Sequence, residues 1–295
     1  PHGQTVNQEY DMRSRVFVSL AACGLLALTA ASPAAAQNKP VRKVLFFTKS
    51  SGFQHSVVAR KDDQPAWAEN ILKQYGAWNG FDITCTKDGS VFTKEGLAPY
   101  DAVMFYTTGD LFQPGTDKQP GMPADGLKAL IEYVESGKGL IGLHTATDTL
   151  HGANSAYIPL IGGEFKTHGA QQKAKHTLIE TKFPGLENCP PTIELLDEWY
   201  MFQNMNPDMD VILLQSTEGM NGPYVGQAAY PSTWCRKQGN GRVFATSFGH
   251  REDVVASPIY QMIVLAGLNW ATGNTQYEPK TNAKDVAAGA PWAAK

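Results

Sequence analysis

The chain has 295 residues, 42% of them hydrophobic and 18% charged, and a formal net charge of −3. A chain of that length buries a full core without disulfides to hold it together. Without a basic excess, neither nucleic acid nor an anionic membrane surface is recommended as a partner.

An export signal is the first feature in chain order. Met12-Arg13-Ser14-Arg15 is a short basic start, Val16 to Ala31 is almost wholly apolar or small, and Ser32-Pro33-Ala34-Ala35-Ala36 ends in an A-x-A pattern. Residues 1–36 are therefore read as upstream residues and a secretory signal peptide, with a periplasmic or secreted mature chain expected from Gln37. Leu20-Ala21-Ala22-Cys23 has the local form of a lipoprotein site, but the apolar run continues past Cys23 and favours the later cut over lipidation. Losing Arg13, Arg15, Glu9 and Asp11 with the signal leaves the net charge at −3. No later segment has the length and apolarity of a membrane span. Cys85, Cys189 and Cys235 remain and permit one disulfide at most; alternation in "FDITC" marks Cys85 as a buried thiol.

Strand patterns then alternate with helical ones, the signature of a parallel sheet with crossover helices. "VRKVLFF" (41–47) is continuously apolar and is expected to be covered on both faces. Asp62 to Tyr75 has helical spacing, with Trp67, Ile71, Leu72 and Tyr75 on one side. "FDITC" (81–85), "YDAVMFY" (100–106) and "KGLIGL" (138–143) are the next strands, with a helix over Leu127 to Val134 before the last. "AKHTLIE", "IELLDEWYMF" and "DVILLQS" are shorter strands, some antiparallel, followed by "GRVFATSFG" (241–249) and a closing helix over Ile259 to Trp270. Residues 37–273 form one α/β domain, and residues 274–295 are expected to be an extended tail.

In open parallel sheets, ligands lie beyond the carboxyl ends of the strands. His55 follows the first strand, Asp110 the third, His144 and Asp148 the fourth, and His250 and Glu252 follow "GRVFATSFG". The stretch Gly142-Leu143-His144-Thr145-Ala146 has the outline of a nucleophile elbow, with small residues two before and two after the presented side chain. It presents histidine, a poor acyl acceptor but a good proton carrier or metal ligand. Asp110 and Asp148 equally suit helix caps. His168 and His176 carry less signal. Asp197 and Glu198 stand inside an aromatic run, where an unpaired carboxylate is costly to bury, unless that strand face is solvated. No cofactor is required by any motif: the phosphate loop and the dinucleotide fingerprint are both missing. His55, His144, His250 and Glu198 would suit a divalent metal, though without a short-spaced ligand motif.

The stretches "SSGFQHS", "FYTTGD", "GLIGLHTATDT", "LIGGEF..H", "DEWY" and "GRVFATSFGHRED" occur in the order seen in the trehalose-utilisation (ThuA-like) family, which this chain resembles from Val41 to Gly273. The resemblance implies a class I glutamine amidotransferase-like fold. This is a flavodoxin-like three-layer α/β sandwich, with a mostly parallel central sheet and extra antiparallel strands in the second half. In that wider fold, the elbow position is a cysteine paired with an H-x-E. Here it is His144, with His250 and Glu252 keeping the spacing, so thioester chemistry on glutamine is not expected. The resemblance further implies sugar catabolism, a small carbohydrate substrate and coupling to a sugar oxidoreductase that forms 3-keto sugars. His144 and His250 would act as acid and base, with Glu252 or Asp197 and Glu198 orienting one of them. The Thr145 amide would face a substrate oxygen, and Phe53, Trp199 and Tyr200 would stack on a sugar ring. A non-catalytic carbohydrate-binding protein and a metal-dependent hydrolase are the alternatives.

Overall fold

The structure, a computed structural model, describes residues 40–62, 64–152 and 155–293. The expected signal segment lies outside these residues. Along the chain the strands are β1 (Arg42–Phe47), β2 (Ser50–Ser51), β3 (Phe81–Thr86), β4 (Ala102–Phe105), β5 (Thr108–Gly109), β6 (Gly139–Leu143) and β7 (Glu164–His168). Then come β8 (Gln172–Leu178), β9 (Thr192–Asp197), β10 (Tyr200–Gln203), β11 (Asp210–Gln215), β12 (Tyr230–Gln238) and β13 (Gly241–Thr246).

Nine strands form one sheet in the order β3-β1-β4-β6-β13-β12-β11-β8-β9. The first five pair in parallel and the remainder antiparallel. The parallel half is the flavodoxin-like arrangement, and its strand order reverses direction at β1. β1, β4 and β6 are buried along most of their length, because helices cover both faces. Helices Trp67–Trp78 and Pro258–Ala271 touch each other on one side, and helices Lys94–Leu97, Gly126–Glu135 and Tyr157–Ile161 form the other group. Among the described residues, no helix is long and apolar enough to cross a membrane. Cys85, Cys189 and Cys235 are free thiols, and burial pushes the Cys85 thiol up to about 12.

Three expectations differ in detail. The first helix starts at Trp67, five residues later than its periodicity suggests. Pro65 keeps Gln64 extended, so the helix cannot run back through residues 62–64. The strand expected across "IELLDEWYMF" is two strands: β9 leaves the main sheet at Asp197, and β10 pairs with β7 in a second layer. β12, a buried central strand, has no counterpart in the sequence reading. After Gly273 the chain is largely irregular, with one helical turn over Ala283–Val286. Tyr277, the Lys280 amide and Asn282 tie this segment to the buried Asp210.

One buried ion pair fixes the start of the first helix. Glu69 is fully buried and accepts from Arg60 Nε and Nη2 at 2.9 Å each, from the Ala66 amide at 2.9 Å and from the Thr48 hydroxyl at 2.7 Å. Burial alone would push this carboxyl up, but the Arg60 guanidinium and the two other donors hold it below the usual range. Its contribution is therefore present above the unfolded value of about 4.3 and is lost as pH falls through the lower folded-state value. Arg60→Ala is expected to cost about 3 kcal/mol at neutral pH, since it strands a buried carboxylate. Denaturant titrations of both proteins check this. The gap should narrow as the medium is acidified below pH 4 or so, and a gap independent of pH would contradict the assignment.

Candidate functional site

The carboxyl ends of β1, β6 and β13 deliver His55, His144 and His250, and the crossing from β9 to β10 delivers Glu198. One ligand-type atom from each lies within 4.8 Å of all the others. The sequence rule for strand exits thus brings three histidines to one point. The carboxylate reaches it from the far edge of the sheet, because the chain changes layers at Asp197.

The elbow forms as its small residues require. His144 takes φ +43°, a left-handed conformation uncommon for a residue with a side chain. A Cβ on Gly142 would lie 2.6 Å from Ile161 Cδ1 and 3.2 Å from Ala146 Cβ, so a larger residue there must displace the Ile161 side chain. The elbow leads into one 3-10 turn, His144–Thr147. Thr145 is fully buried, and its hydroxyl pairs with that of Thr108 at 3.0 Å. At the mouth of the parallel strands, β2 and β5 pair closely. A Cβ on Gly109 would lie 1.8 Å from the Ser51 carbonyl oxygen.

His144 is fully buried, and its Nδ1 lies 2.7 Å from the Ser247 carbonyl oxygen. A carbonyl can only accept, so Nδ1 carries the proton and Nε2 presents a lone pair to the cluster. Nε2 stands 3.7 Å from Glu198 Oε1, too far for a hydrogen bond. His250 Nδ1 is 3.2 Å from the same oxygen, and His168 Nδ1 is 3.2 Å from Glu198 Oε2. Burial, reinforced by the neighbouring imidazoles, drives His55 down to about 2, so its ring is neutral. Burial acts against the charge on Glu198, but the adjacent imidazoles of His144 and His250 outweigh it and hold the carboxyl below its usual range. Burial likewise opposes a charge on His250, and Glu198 outweighs that to raise it.

Asp197 holds the backbone on both sides of His250. Its carboxylate accepts from the Gly249 amide at 2.8 Å and the Arg251 amide at 3.2 Å. The Tyr106 hydroxyl adds a bond to the Gly249 carbonyl at 3.0 Å. Asp197 is thus a positioning residue and does not line the cleft.

Above the cluster lies a cleft of about 300 Å³ lined by Phe53, His55, Asp148, Phe165, His168, Glu198 and Tyr200. Phe53 is 64% exposed and meets His55 edge-on, while Tyr200 lies under His144 with ring centres 4.4 Å apart. The Asp148 carboxylate bonds His151 Nε2 at 2.5 Å, and His151 Nδ1 bonds Glu164 at 2.9 Å. Carboxylates on both ring nitrogens, Asp148 foremost, raise His151 above its ordinary range. His151 in turn lines a second, larger cleft of about 680 Å³ with Gly109, Asp110, Phe112 and Leu127.

The remaining candidates go elsewhere. Glu252 is exposed and accepts from the Ser56 hydroxyl at 2.5 Å; as the first residue of a helical turn it is carried away from His250 despite the H-x-E spacing. Trp199 does not face a ligand: it is fully buried between His176 and Phe248, its indole donating to the Gln172 carbonyl. Asp110 caps the Phe112 amide at 3.0 Å and lines the larger cleft, outside the cluster. His176 is a core residue bonded to Ser232, pushed by burial down to about 3. His151 and Phe165 were not foreseen, and His168 was underrated although it ends the "LIGGEF..H" stretch.

A family model described as ThuA, trehalose utilisation, matches residues 43–271. A ThuA-like protein from Bacteroides uniformis has a solved structure that matches with a TM-score of 0.63 at 18% identity, covering 81% of this chain and 95% of its own. One from Parabacteroides merdae matches with a TM-score of 0.60 at 17% identity, covering 82% and 94%. A cytoplasmic protein of Salmonella typhimurium LT2 gives 0.54 at 15% identity over 78% and 99%. At these identities the likeness shows a shared fold. Comparison with curated proteins finds no match.

Proposed function

This chain belongs to the ThuA, trehalose-utilisation, family, and from that premise we propose that it is an exported enzyme acting on 3-keto sugars or related glycosides. The observation that carries the reading is the convergence of three imidazoles and a carboxylate beside an aromatic-walled cleft, to which His55 and Glu198 of the cluster open. A passive carbohydrate site relies on amides and aromatic faces, whereas buried titratable groups beyond strand ends are arranged for chemistry.

A keto group acidifies the C–H beside it. Removal of that proton places the electron pair on the keto oxygen, and a polarising group stabilises the resulting enolate. Return of the proton to the opposite face isomerises the sugar. Alternatively, the oxygen's electron pair re-forms the carbonyl while the enolate C=C pair shifts to make a double bond to the next carbon, breaking its bond to the glycosidic oxygen, which takes up a proton and leaves as an alcohol. The cluster, together with Asp148 and His168 at the cleft wall, supplies the polarisation and proton transfer common to both routes. Phe53, Phe165 and Tyr200 wall the reacting ring, and the larger cleft across the Asp148–His151 pair has room for a second sugar unit.

Incubating the protein with a 3-keto glycoside and following the sugar by NMR tests the proposal. Conversion to an isomer or to an unsaturated ketone plus free alcohol is expected. Saturable binding without conversion would instead favour the accessory carbohydrate-binding reading. Export is tested separately, since the mass of the secreted chain should correspond to a start at Gln37.

A further inference from the structure

We infer that His55, His144, His250 and Glu198 form a binding site for one divalent first-row transition ion, with zinc as the reference case. Their ligand-type atoms lie within 4.8 Å of one another, a grouping of this kind found once among the described residues. Four ligands on a tetrahedral ion with bonds of about 2.1 Å stand about 3.4 Å apart, so the widest pair closes by roughly 1.4 Å on binding. Small side-chain rotations supply that closure.

The stronger argument is what these atoms lack. His55 Nδ1, His144 Nε2 and His250 Nδ1 are buried without a hydrogen bond; His250 Nδ1 lies 3.2 Å from Glu198 Oε1 but is poorly aligned for one. Buried polar atoms are nearly always paired, and three unpaired imidazole nitrogens in one place call for a common partner. They do not bond each other: the rings of His55, His144 and His250 meet edge-on, with centres 5.0 to 5.3 Å apart. A cation at their focus satisfies all three.

The surroundings have the outer groups that metal ligands need. The Ser247 carbonyl fixes the His144 tautomer that leaves Nε2 free to coordinate. His168 stands against the second oxygen of Glu198, and Asp197 clamps the backbone around His250. Neutral imidazoles with one carboxylate and no thiolate suit zinc, manganese or iron(II) better than a soft ion. With one negative ligand the centre keeps a net positive charge, which suits it to polarise a keto oxygen that enters from the cleft as a fifth ligand. Histidines committed as ligands leave proton removal to the groups at the cleft wall, Asp148 or His168.

For the role of the ion, the inference rests on the proposed function; for its presence it does not. The test is metal analysis of the tag-free chain purified without chelator, followed by EDTA stripping and titration with Zn²⁺ and Co²⁺. About one ion per chain is expected, with visible absorption on Co²⁺ binding and a rise in Tm of roughly 5–10 °C at saturating Zn²⁺. His144→Asn and Glu198→Gln should each lose stoichiometric binding, and His151→Gln, in the neighbouring imidazole–carboxylate group, should keep it. Glu198→Gln is isosteric and keeps the test valid if the His144 variant folds poorly. A wild-type chain that takes up no ion from either salt overturns the inference, as does binding that survives Glu198→Gln but is lost in His151→Gln. A bound ion without sugar conversion would defeat the proposed function and leave the metal site standing. Conversion by metal-stripped protein would leave the proposed function standing and overturn only the ion's part in it.

Discussion

Replacing His144 with asparagine is expected to lower conversion of a 3-keto glycoside by about two to four orders of magnitude, the usual cost of losing a principal proton-transfer or polarising group. Asparagine is the informative replacement because His144 sits at φ +43°, where asparagine is among the side chains best tolerated. The elbow should therefore keep its shape while its imidazole disappears. His250→Ala should fall by a similar factor, for its ring faces the same Glu198 oxygen. Loss of one member should make loss of the second nearly free, since residues acting as a unit are not additive. Independent, multiplying effects would mean that the two rings serve different steps. Circular dichroism and Tm confirm that the variants are folded.

Asp197→Ala is expected to act through structure first. It strands the amides of Gly249 and Arg251, each losing a charged acceptor inside the fold. An orphaned buried donor costs about 1–3 kcal/mol, so the pair amounts to roughly 4 kcal/mol and a Tm lower by about 8–16 °C. The same change frees the His250 loop, and kcat should fall at least about tenfold as the ring loses its orientation. Asp197→Asn retains one accepting oxygen and should recover part of both losses. If Asp197→Ala lowers Tm but leaves kcat intact, the carboxylate supports the fold without positioning His250.

The strand exits were readable because continuous apolar runs stop abruptly at polar residues, and a parallel sheet sends all such ends to one edge. Gly142 betrayed the elbow, since it answers a steric demand made by the close Ile161 and Ala146 side chains. Glu198 stood out as a charge in an aromatic run. What its neighbours do was hidden. Trp199 and Tyr200 lie where the chain passes between layers, and such a crossing breaks the alternation that tells one face from the other. Hence Trp199 goes to the core and Tyr200 to the site. β12 was unreadable because "YPSTWCRKQ" mixes proline, hydroxyls and bases. Pro231 is accommodated where the β11–β12 register shifts, and neighbouring strands bury the rest. The H-x-E spacing misdirected the reading toward Glu252, because spacing does not reveal that a helical turn starts there and carries the carboxylate to the surface. His151 stands in the loop after β6, but nothing local marks it, since Asp148 and Glu164 close around both of its ring nitrogens only after folding.

Proton exchange at the carbon beside the keto group is the step that isomerisation and elimination share. The most direct measurement is therefore the rate at which that C–H of a 3-keto glycoside exchanges with D2O, read by NMR with and without protein. The wild-type chain, supplied with Zn²⁺, should accelerate exchange, and His144→Asn and Glu198→Gln should each reduce that acceleration about a hundredfold or more. Folded wild-type protein that leaves the exchange rate unchanged, or variants that match it, would contradict the placement of the chemistry at this cluster.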